Sequence, residues 1–145
     1  MVNLYKQLQE VTHTMKMCSD VPMRLPYCTD MQVRGECLIS YEEFDRINSG
    51  LVEGYKTPRN LAAGTVRQLD SNIVRERKLT YKAFELDQED TLSNPDMYDQ
   101  IMTMEESFNY LEECGFNVVE HILVDENNVE EMIEKFNPEE YKLPV

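Results

Sequence analysis

The sequence predicts an α+β fold, and three observations support that class. Residues 31–39 and 78–86 alternate apolar and polar side chains and are rich in strand-forming residues, as half-buried strands are. Helix-capping signals stand before other stretches, so helices are expected beside the strands. The chain has 145 residues, of which 41% are hydrophobic. A chain of that size buries one modest core, and we expect a single domain over residues 1–145.

The N-terminal part is predicted to contain a helix and then a strand. Residues 3–17 are compatible with a helix, but their apolar spacing is irregular. Residues 1–30 therefore have a docking arm as an alternative reading. In the strand at 31–39, the two-residue period places Arg34 and Glu36 on the same face.

Two helices are expected after this strand. Ser40 is predicted to cap a helix over residues 41–48, with Glu43 at the third position completing a capping box. Thr57 and Pro58 then open a second helix, because a threonine side chain caps exposed amides and the fixed φ of proline suits the first helical position.

The second of these helices carries two arginines eight positions apart, Arg59 and Arg67. Eight residues are a little over two turns, so the two guanidinium groups lie within roughly 80° of one face and about 12 Å apart along the axis. Such a pair can bracket a polyanion, and Asn60 is expected to extend from the same helix. Phosphate is the ligand that this pattern favours.

The C-terminal half is predicted to contain two more helices and a strand. Thr103 and Glu106 form a capping box for a helix over residues 104–114. The β-branched run at 117–124 is expected to be a strand, and Asp125 is expected to cap a final helix.

Charge is distributed unevenly along the chain. The formal net charge is −14, with 28 acids against 14 bases, and a uniform charge of this sign would repel nucleic acid. Most acids fall within residues 85–140, whereas the segment 56–82 is basic. A basic face on an acidic body suits contact with DNA, and the alternative is a solvated acidic surface with ordinary arginines. The bases of the segment are Lys56, Arg59, Arg67, Arg75, Arg77, Lys78 and Lys82.

Cysteine and histidine give no sign of a metal site. Neither His13 nor His121 lies near a cysteine pair, and both are expected to be structural. The absence of a C-x-x-C pair, a signal peptide and a long apolar run favours reduced thiols in a cytoplasmic protein without a membrane segment. The four cysteines are Cys18, Cys28, Cys37 and Cys114.

Several segments, taken together, resemble a known family. PRNLAAGTVRQLD at 58–70, preceded by MQVRGECLI at 31–39 and followed by RERKLTYKAFEL at 75–86, resembles the central part of the adenylation domain of NAD-dependent DNA ligases. The resemblance extends to residues 11–25 and 106–119. It implies a nucleotidyltransferase-type α+β fold, with a mostly antiparallel sheet flanked by helices. The departures are mild: Thr14, Thr57 and Leu61 stand where that family usually has Asn, Asn and Ala.

The lysine motifs of that family do not occur in these 145 residues. The nucleophilic lysine of the family lies in K-x-D-G, and a later strand carries D-G before a second lysine. None of the five glycines here follows an aspartate, so neither motif is present. This chain is therefore expected to be inactive by itself.

The resemblance implies roles for individual residues. Arg59 and Arg67 match positions that touch the nick phosphates and the adenylate, and Asn60 and Arg77 are assigned to the same phosphate and DNA contacts. Glu36 matches the family glutamate that accepts hydrogen bonds from the adenosine ribose. The alternatives are a solvent-facing strand residue for Glu36 and helix-surface salt bridges, to Asp70 or Glu53, for the arginine pair.

The function implied is that of a fragment or split subunit of an NAD-dependent DNA ligase, which seals nicks in DNA replication and repair through an AMP intermediate. NAD would bind only in a complete domain, and Mg²⁺ is expected for the reaction, without a site in this chain. The expected partners are nicked double-stranded DNA and a second polypeptide or continuing chain that carries the lysine motifs. One alternative is a non-catalytic DNA-binding or scaffold module derived from such a domain, and another is a decayed remnant.

Overall fold

The computed structural model describes residues 10–26, 31–87 and 102–136, which form helices and a two-stranded sheet. The strands pair antiparallel, since the Leu38 carbonyl accepts a hydrogen bond from Thr80 while Arg34 lies beside Glu85. This combination confirms the α+β class. The elements are α1 (Thr12–Met15), β1 (Gln32–Leu38), α2 (Tyr41–Asn48), α3 (Pro58–Val66), α4 (Ser71–Glu76), β2 (Thr80–Asp87), α5 (Met104–Glu113) and α6 (Val129–Lys135).

Contacts divide the chain into two compact units, each including parts of the paired strands. The first unit contains the described residues up to Met23 together with Cys37–Tyr81. The second contains the described residues of Arg24–Glu36 and Lys82–Val145. The expectation of a single domain over 1–145 stays a prediction.

The core of the first unit forms where α3 and α4 meet the end of β1 and the start of β2. Leu61 and Val74 are fully buried, one from each of these helices. Apolar burial of this kind supplies the main favourable free energy of folding. Met15, Phe44, Ile47 and Tyr55 pack around it, partly buried. The buried cluster consists of Cys18, Ile39, Leu61, Ala62, Val74 and Leu79.

In the second unit, α5 packs its apolar face inward. Thr103 and Glu106 form the predicted capping box, with the Thr103 amide donating to the Glu106 carboxylate at 2.7 Å. Phe108 and Leu111 are buried, and Gly115 ends the helix with a φ of 91°, a conformation that glycine adopts without strain. The predicted helix over 104–114 is thereby confirmed.

The predicted strand at 117–124 is wrong over most of its length. It reduces to one parallel bridge between Val118 and Ala83, whose amide donates to the Asn117 carbonyl at 2.8 Å. Further along, the Asn128 amide group donates to the Leu123 carbonyl at 3.2 Å. A side chain therefore bonds a backbone group that a neighbouring strand would have used.

Other local features also differ from the predictions. The last helix is capped by Asn128, without a side-chain cap hydrogen bond, and not by Asp125. Of the helix expected over 3–17, the structure contains Thr12–Met15, and residues 1–9 lie outside the described residues. The helix α4, capped by the Asp70 carboxylate, was not predicted. The capping box at Ser40 is half formed, since Ser40 accepts from the Glu43 amide but the Glu43 carboxylate binds basic side chains instead.

No helix within residues 10–26, 31–87 and 102–136 combines the length and hydropathy needed to cross a bilayer.

Candidate functional site

The helix α3 presents three exposed residues at a spacing of four, Arg59, Ala63 and Arg67, which we call the arginine strip. This spacing follows one side of a helix, with a drift of about 40° at each step. Arg67 is the C-cap and keeps helical backbone geometry. The buried side of the helix carries Leu61 and Thr65, both 0% exposed. Because Ala63 is small, α3 itself places no bulky side chain between Arg59 and Arg67 on this side of the helix.

The N-terminal end of α3 forms as its sequence predicts. Thr57 has extended backbone geometry and its hydroxyl accepts from the Asn60 amide at 3.2 Å, while Pro58 occupies the first turn. This cap fixes where the helix begins, and so places Arg59 and the Asn60 side chain in its first turn. Both residues are exposed.

The C-terminal end of α3 is held by α1. The Thr14 hydroxyl donates to the Val66 carbonyl at 3.0 Å, and a ring nitrogen of His13 lies 2.9 Å from the Gln68 carbonyl. These two carbonyls flank Arg67 in the chain. The α1 contacts therefore satisfy backbone groups that a helix end leaves without intrahelical partners, and they fix the backbone that carries Arg67.

The guanidinium of Arg67 makes no ion pair or hydrogen bond with another described residue, so the salt bridge to Asp70 or Glu53 considered from the sequence is not seen for this residue. Among residues 10–26, 31–87 and 102–136, the structure therefore gives the Arg67 side chain no ion-pairing role.

Arg77 has a different environment from the arginine strip. It is partly buried, one of its nitrogens donates to the Thr65 hydroxyl at 3.0 Å, and its guanidinium lies 5.7 Å from the centre of the Tyr55 ring. A cation over an aromatic face is attracted by the ring quadrupole. The Asn48 side-chain amide in turn fixes the Tyr55 backbone, donating to its carbonyl and accepting from its N–H, both at 2.9 Å. Arg77 is thus fixed by contacts within the first unit.

Glu36 lies in β1 within the second unit, so the structure groups it separately from the four predicted phosphate contacts of the first unit. It is exposed, and the two-residue alternation puts Arg34 on the same face. Arg34 forms ion pairs of 3.1 Å with Glu85 and with Asp87 on β2. This pairing braces the strand that carries Glu36.

Part of the positive charge of segment 56–82 is neutralised within the fold. The Lys78 ammonium lies 2.6 Å from the Glu43 carboxylate, which also pairs with Arg46 at 2.7 Å. The hydrogen bond from Lys78, followed by that from Arg46, lowers the pKa of Glu43. Lys82 donates to Asn117 at 2.6 Å within the second unit. We call Glu43, Arg46 and Lys78 the Glu43 cluster. Sequence reasoning did not identify it, because Lys78 lies 35 positions from Glu43 in the chain.

The described cysteine and histidine side chains make contacts within the fold. The Cys18 thiol donates to the Thr14 carbonyl at 3.9 Å. Interaction with Cys37, followed by burial, raises the pKa of Cys18. Burial likewise raises the pKa of Cys114. The His121 ring packs on Phe108, with ring centres 4.6 Å apart. Within the described ranges, no three His, Cys, Asp or Glu side chains gather in a way that would hold a metal ion.

Comparison with known proteins shows the family to which this chain belongs. The family model of the NAD-dependent DNA ligase adenylation domain matches residues 6–144. A DNA ligase of Lachnoclostridium phytofermentans is 38% identical over 129 residues, which are 87% of this chain and 19% of that relative. A DNA ligase of Ruminiclostridium cellulolyticum is 28% identical over 130 residues, which are 88% of this chain and 19% of the relative. The chain thus spans about a fifth of the length of these curated relatives.

Proposed function

Because the chain belongs to the family of NAD-dependent DNA ligase adenylation domains, we propose that it supplies phosphate and nucleotide contacts for sealing nicks in double-stranded DNA. These 145 residues contain no K-x-D-G lysine. The nucleophilic lysine that accepts AMP from NAD therefore comes from a second polypeptide or from a continuing chain. The proposed setting is DNA replication and repair in the cytoplasm.

The observation that carries this proposal is the arginine strip. Arg59 and Arg67 are both exposed, on a helix whose opposite side is fixed in a core. Transfer of a phosphoryl or adenylyl group needs reactants held in line and positive charge at the phosphate oxygens. Arginine suits this task, because its planar guanidinium donates two parallel hydrogen bonds to one phosphate.

We assign two further contributions to the same function. The Arg77 guanidinium, held against Tyr55 and Thr65, is proposed to contact DNA phosphate through its remaining donors. The exposed carboxylate of Glu36 is proposed to accept hydrogen bonds from the adenosine ribose, as carboxylates of dinucleotide-binding folds do. Mg²⁺ is expected for the family reaction, and we assign none of its ligands to the described residues.

A non-catalytic DNA-binding or scaffold module is the second candidate function. It is favoured by one observation, the lack of any D-G dipeptide in the sequence. Both candidates use the arginine strip to contact DNA, and they differ in whether a chemical step follows.

Reconstitution separates the two candidates. The chain would be co-expressed with flanking segments of the ligase-type domain that carry both lysine motifs, and sealing of a nicked duplex would be followed on a denaturing gel. The ligase proposal expects sealing by the mixture and none by either part. A folded complex that binds nicked DNA but does not seal it, with its lysine adenylylated, would favour the scaffold.

Incubation of the isolated chain with NAD supplies the matching control. Intact-mass measurement is expected to find no added AMP, since the nucleophilic lysine is absent from these residues. A stoichiometric AMP adduct on any lysine of this chain would contradict the proposal.

A further inference from the structure

Large apolar side chains in the second unit are exposed to solvent. The helix α6 contains no buried residue, and Leu123 before it and Ile133 within it are 71% and 68% exposed. The segment in front of α6 is fixed to the start of the helix, because the Asn128 side chain donates to the Leu123 carbonyl and accepts from the Asp125 amide. We call these exposed side chains the α6 patch, which consists of Ile122, Leu123, Val124, Val129 and Ile133.

Negative charge borders the α6 patch. Glu130 and Glu134 each follow a patch residue on α6, and both glutamates are exposed. Neither forms an ion pair with another described residue. Lys135 is the one base of the range 120–136, whose acids are Glu120, Asp125, Glu126, Glu130, Glu131 and Glu134. The apolar surface therefore has an acidic rim.

We infer that the α6 patch is covered by an apolar segment, flanked by lysine or arginine, of the polypeptide that carries the K-x-D-G lysine. Exposed apolar patches with a polar rim mark protein interaction sites. Burial of the apolar side chains drives such an association, and opposite charge at the rim selects the partner. The inference rests on the proposed function for the identity of that polypeptide.

Charge disfavours the occupants that this chain itself offers. A second copy of the chain has a formal net charge of −14, and like charges repel. Residues 88–101 contain acids but no base, and in residues 137–145 two glutamates stand against one lysine. A partner with positive charge beside its apolar residues complements both the patch and its rim.

The affinity between the two polypeptides tests the inference. The whole chain would be titrated with the flanking segments of the ligase-type domain that carry both lysine motifs, and calorimetry would give the dissociation constant. The double variant Leu123→Ser with Ile133→Ser is expected to bind at least tenfold more weakly, because two apolar side chains no longer become buried on association. Its urea midpoint should match that of the wild type, since both side chains are exposed in the isolated chain.

Two further variants make the result specific. Leu69→Ser is the matched control, because Leu69 is 90% exposed but lies in the first unit, and it should keep the wild-type affinity. Glu130→Lys combined with Glu134→Lys reverses the charge of the rim and should also weaken binding. Added salt should weaken binding of the wild type more than binding of this charge variant, because salt screens the attraction between exposed charges.

The outcomes separate this inference from the proposed function. Wild-type affinity in the serine variant, with nick sealing by the complex, would overturn the inference alone. Failure of the wild-type chain to bind the lysine-bearing segments would contradict both. Binding that depends on the α6 patch, without sealing, would support the inference and favour the scaffold.

Measurements on the isolated chain test the other occupants. Sedimentation is expected to show a monomer, and a wild-type dimer that the serine variant does not form would assign the patch to a second copy. A lower urea midpoint in the serine variant would show that a segment of this chain already covers the patch. Either result would overturn the inference.

Discussion

The Thr14 hydroxyl donates a 3.0 Å hydrogen bond to the carbonyl of Val66, 52 positions away in the chain. Thr14 is fully buried, and Val66 is the last residue of α3. Through this bond, α1 holds the end of the helix next to Arg67. The helix α1 lies in the segment for which a docking arm was the alternative prediction. It instead helps to position the arginine strip.

Removing the Thr14 hydroxyl is expected to destabilise the fold. In Thr14→Val, the Val66 carbonyl loses its partner in a buried place, at a cost of about 1–3 kcal/mol in the free energy of unfolding. Urea denaturation would measure it. Thr14→Ser, which keeps the hydroxyl, should recover much of the loss, and Thr12→Ala at an exposed position of α1 is the control. Equal stability of Thr14→Val and wild type would mean that the bond contributes nothing.

The close approach of Gly64 to Tyr55 gives a second prediction. A Cβ added at Gly64 would lie 3.1 Å from a ring carbon of Tyr55. The Arg77 guanidinium lies over this ring, and the Asn48 side chain holds the Tyr55 backbone. Gly64→Ala is therefore expected to cost about 1 kcal/mol or more, although alanine is the better helix former.

A matched variant and a double mutant decide whether the Tyr55 contact is the cause. At Gly50 the nearest atom to an added Cβ is 3.6 Å away, so Gly50→Ala is expected to be nearly neutral. Combining Gly64→Ala with Tyr55→Leu should remove the clash and give a cost smaller than the sum of the single changes. Additive costs would rule out the steric explanation.

The Glu43 cluster predicts how stability depends on pH. Hydrogen bonds from Lys78 and Arg46 lower the pKa of Glu43, so the folded protein favours the ionised form more than the unfolded chain does. The resulting stability is fully present above the unfolded pKa and is lost as the pH falls through the lower folded pKa. The stability difference between wild type and Glu43→Gln should therefore be constant near neutral pH and shrink in acid.

Urea midpoints measured across this pH range check the prediction. Glu42→Gln on the same helix, at an exposed position, should leave the pH profile close to that of the wild type. A gap between wild type and Glu43→Gln that stays the same from neutral to strongly acidic pH would show that the ionised carboxylate is not the source of the stability.

The N-terminal ends of α3 and α5 were predictable from the sequence because their capping interactions are local. Thr57 and Pro58, and likewise Thr103 and Glu106, act on amides within four residues of themselves, so the sequence contains the whole interaction. The strand predicted at 117–124 failed because the pairing of a strand depends on a neighbour that local sequence does not specify.

In the candidate site, too, local features were predictable from the sequence and long-range contacts were not. The eight-residue spacing of Arg59 and Arg67 predicted that both lie on the same side of the helix, because helix geometry is regular, and both are exposed. The contacts of Thr14 with Val66 and of Lys78 with Glu43 join residues 52 and 35 positions apart, and no short-range pattern signals them. The role of Glu36 in binding ribose and those of the arginines in binding phosphate stay predictions.

Arg77 and Arg67 are expected to differ in what they contribute to folding. Arg77→Ala loses the bond to Thr65 and the packing on Tyr55, which should lower the free energy of unfolding by about 1–2 kcal/mol. Arg67→Ala, at an exposed position, should stay within about 0.5 kcal/mol of wild type. Thermal melts of the two variants would show it, and equal losses would mean that Arg67 has a structural role.

The salt dependence of nick binding tests the arginine strip most directly. In a reconstituted ligase-type complex, affinity for a nicked duplex would be measured at several salt concentrations. The proteins would be wild type, the double variant Arg59→Ala with Arg67→Ala, and Lys135→Ala, which removes one positive charge from the second unit. Each phosphate contact contributes about 0.9 to the slope of log affinity against log salt, so the double variant should lower the slope by roughly 2 while the control keeps it. A folded double variant with the wild-type slope and affinity would show that the arginine strip does not contact phosphate.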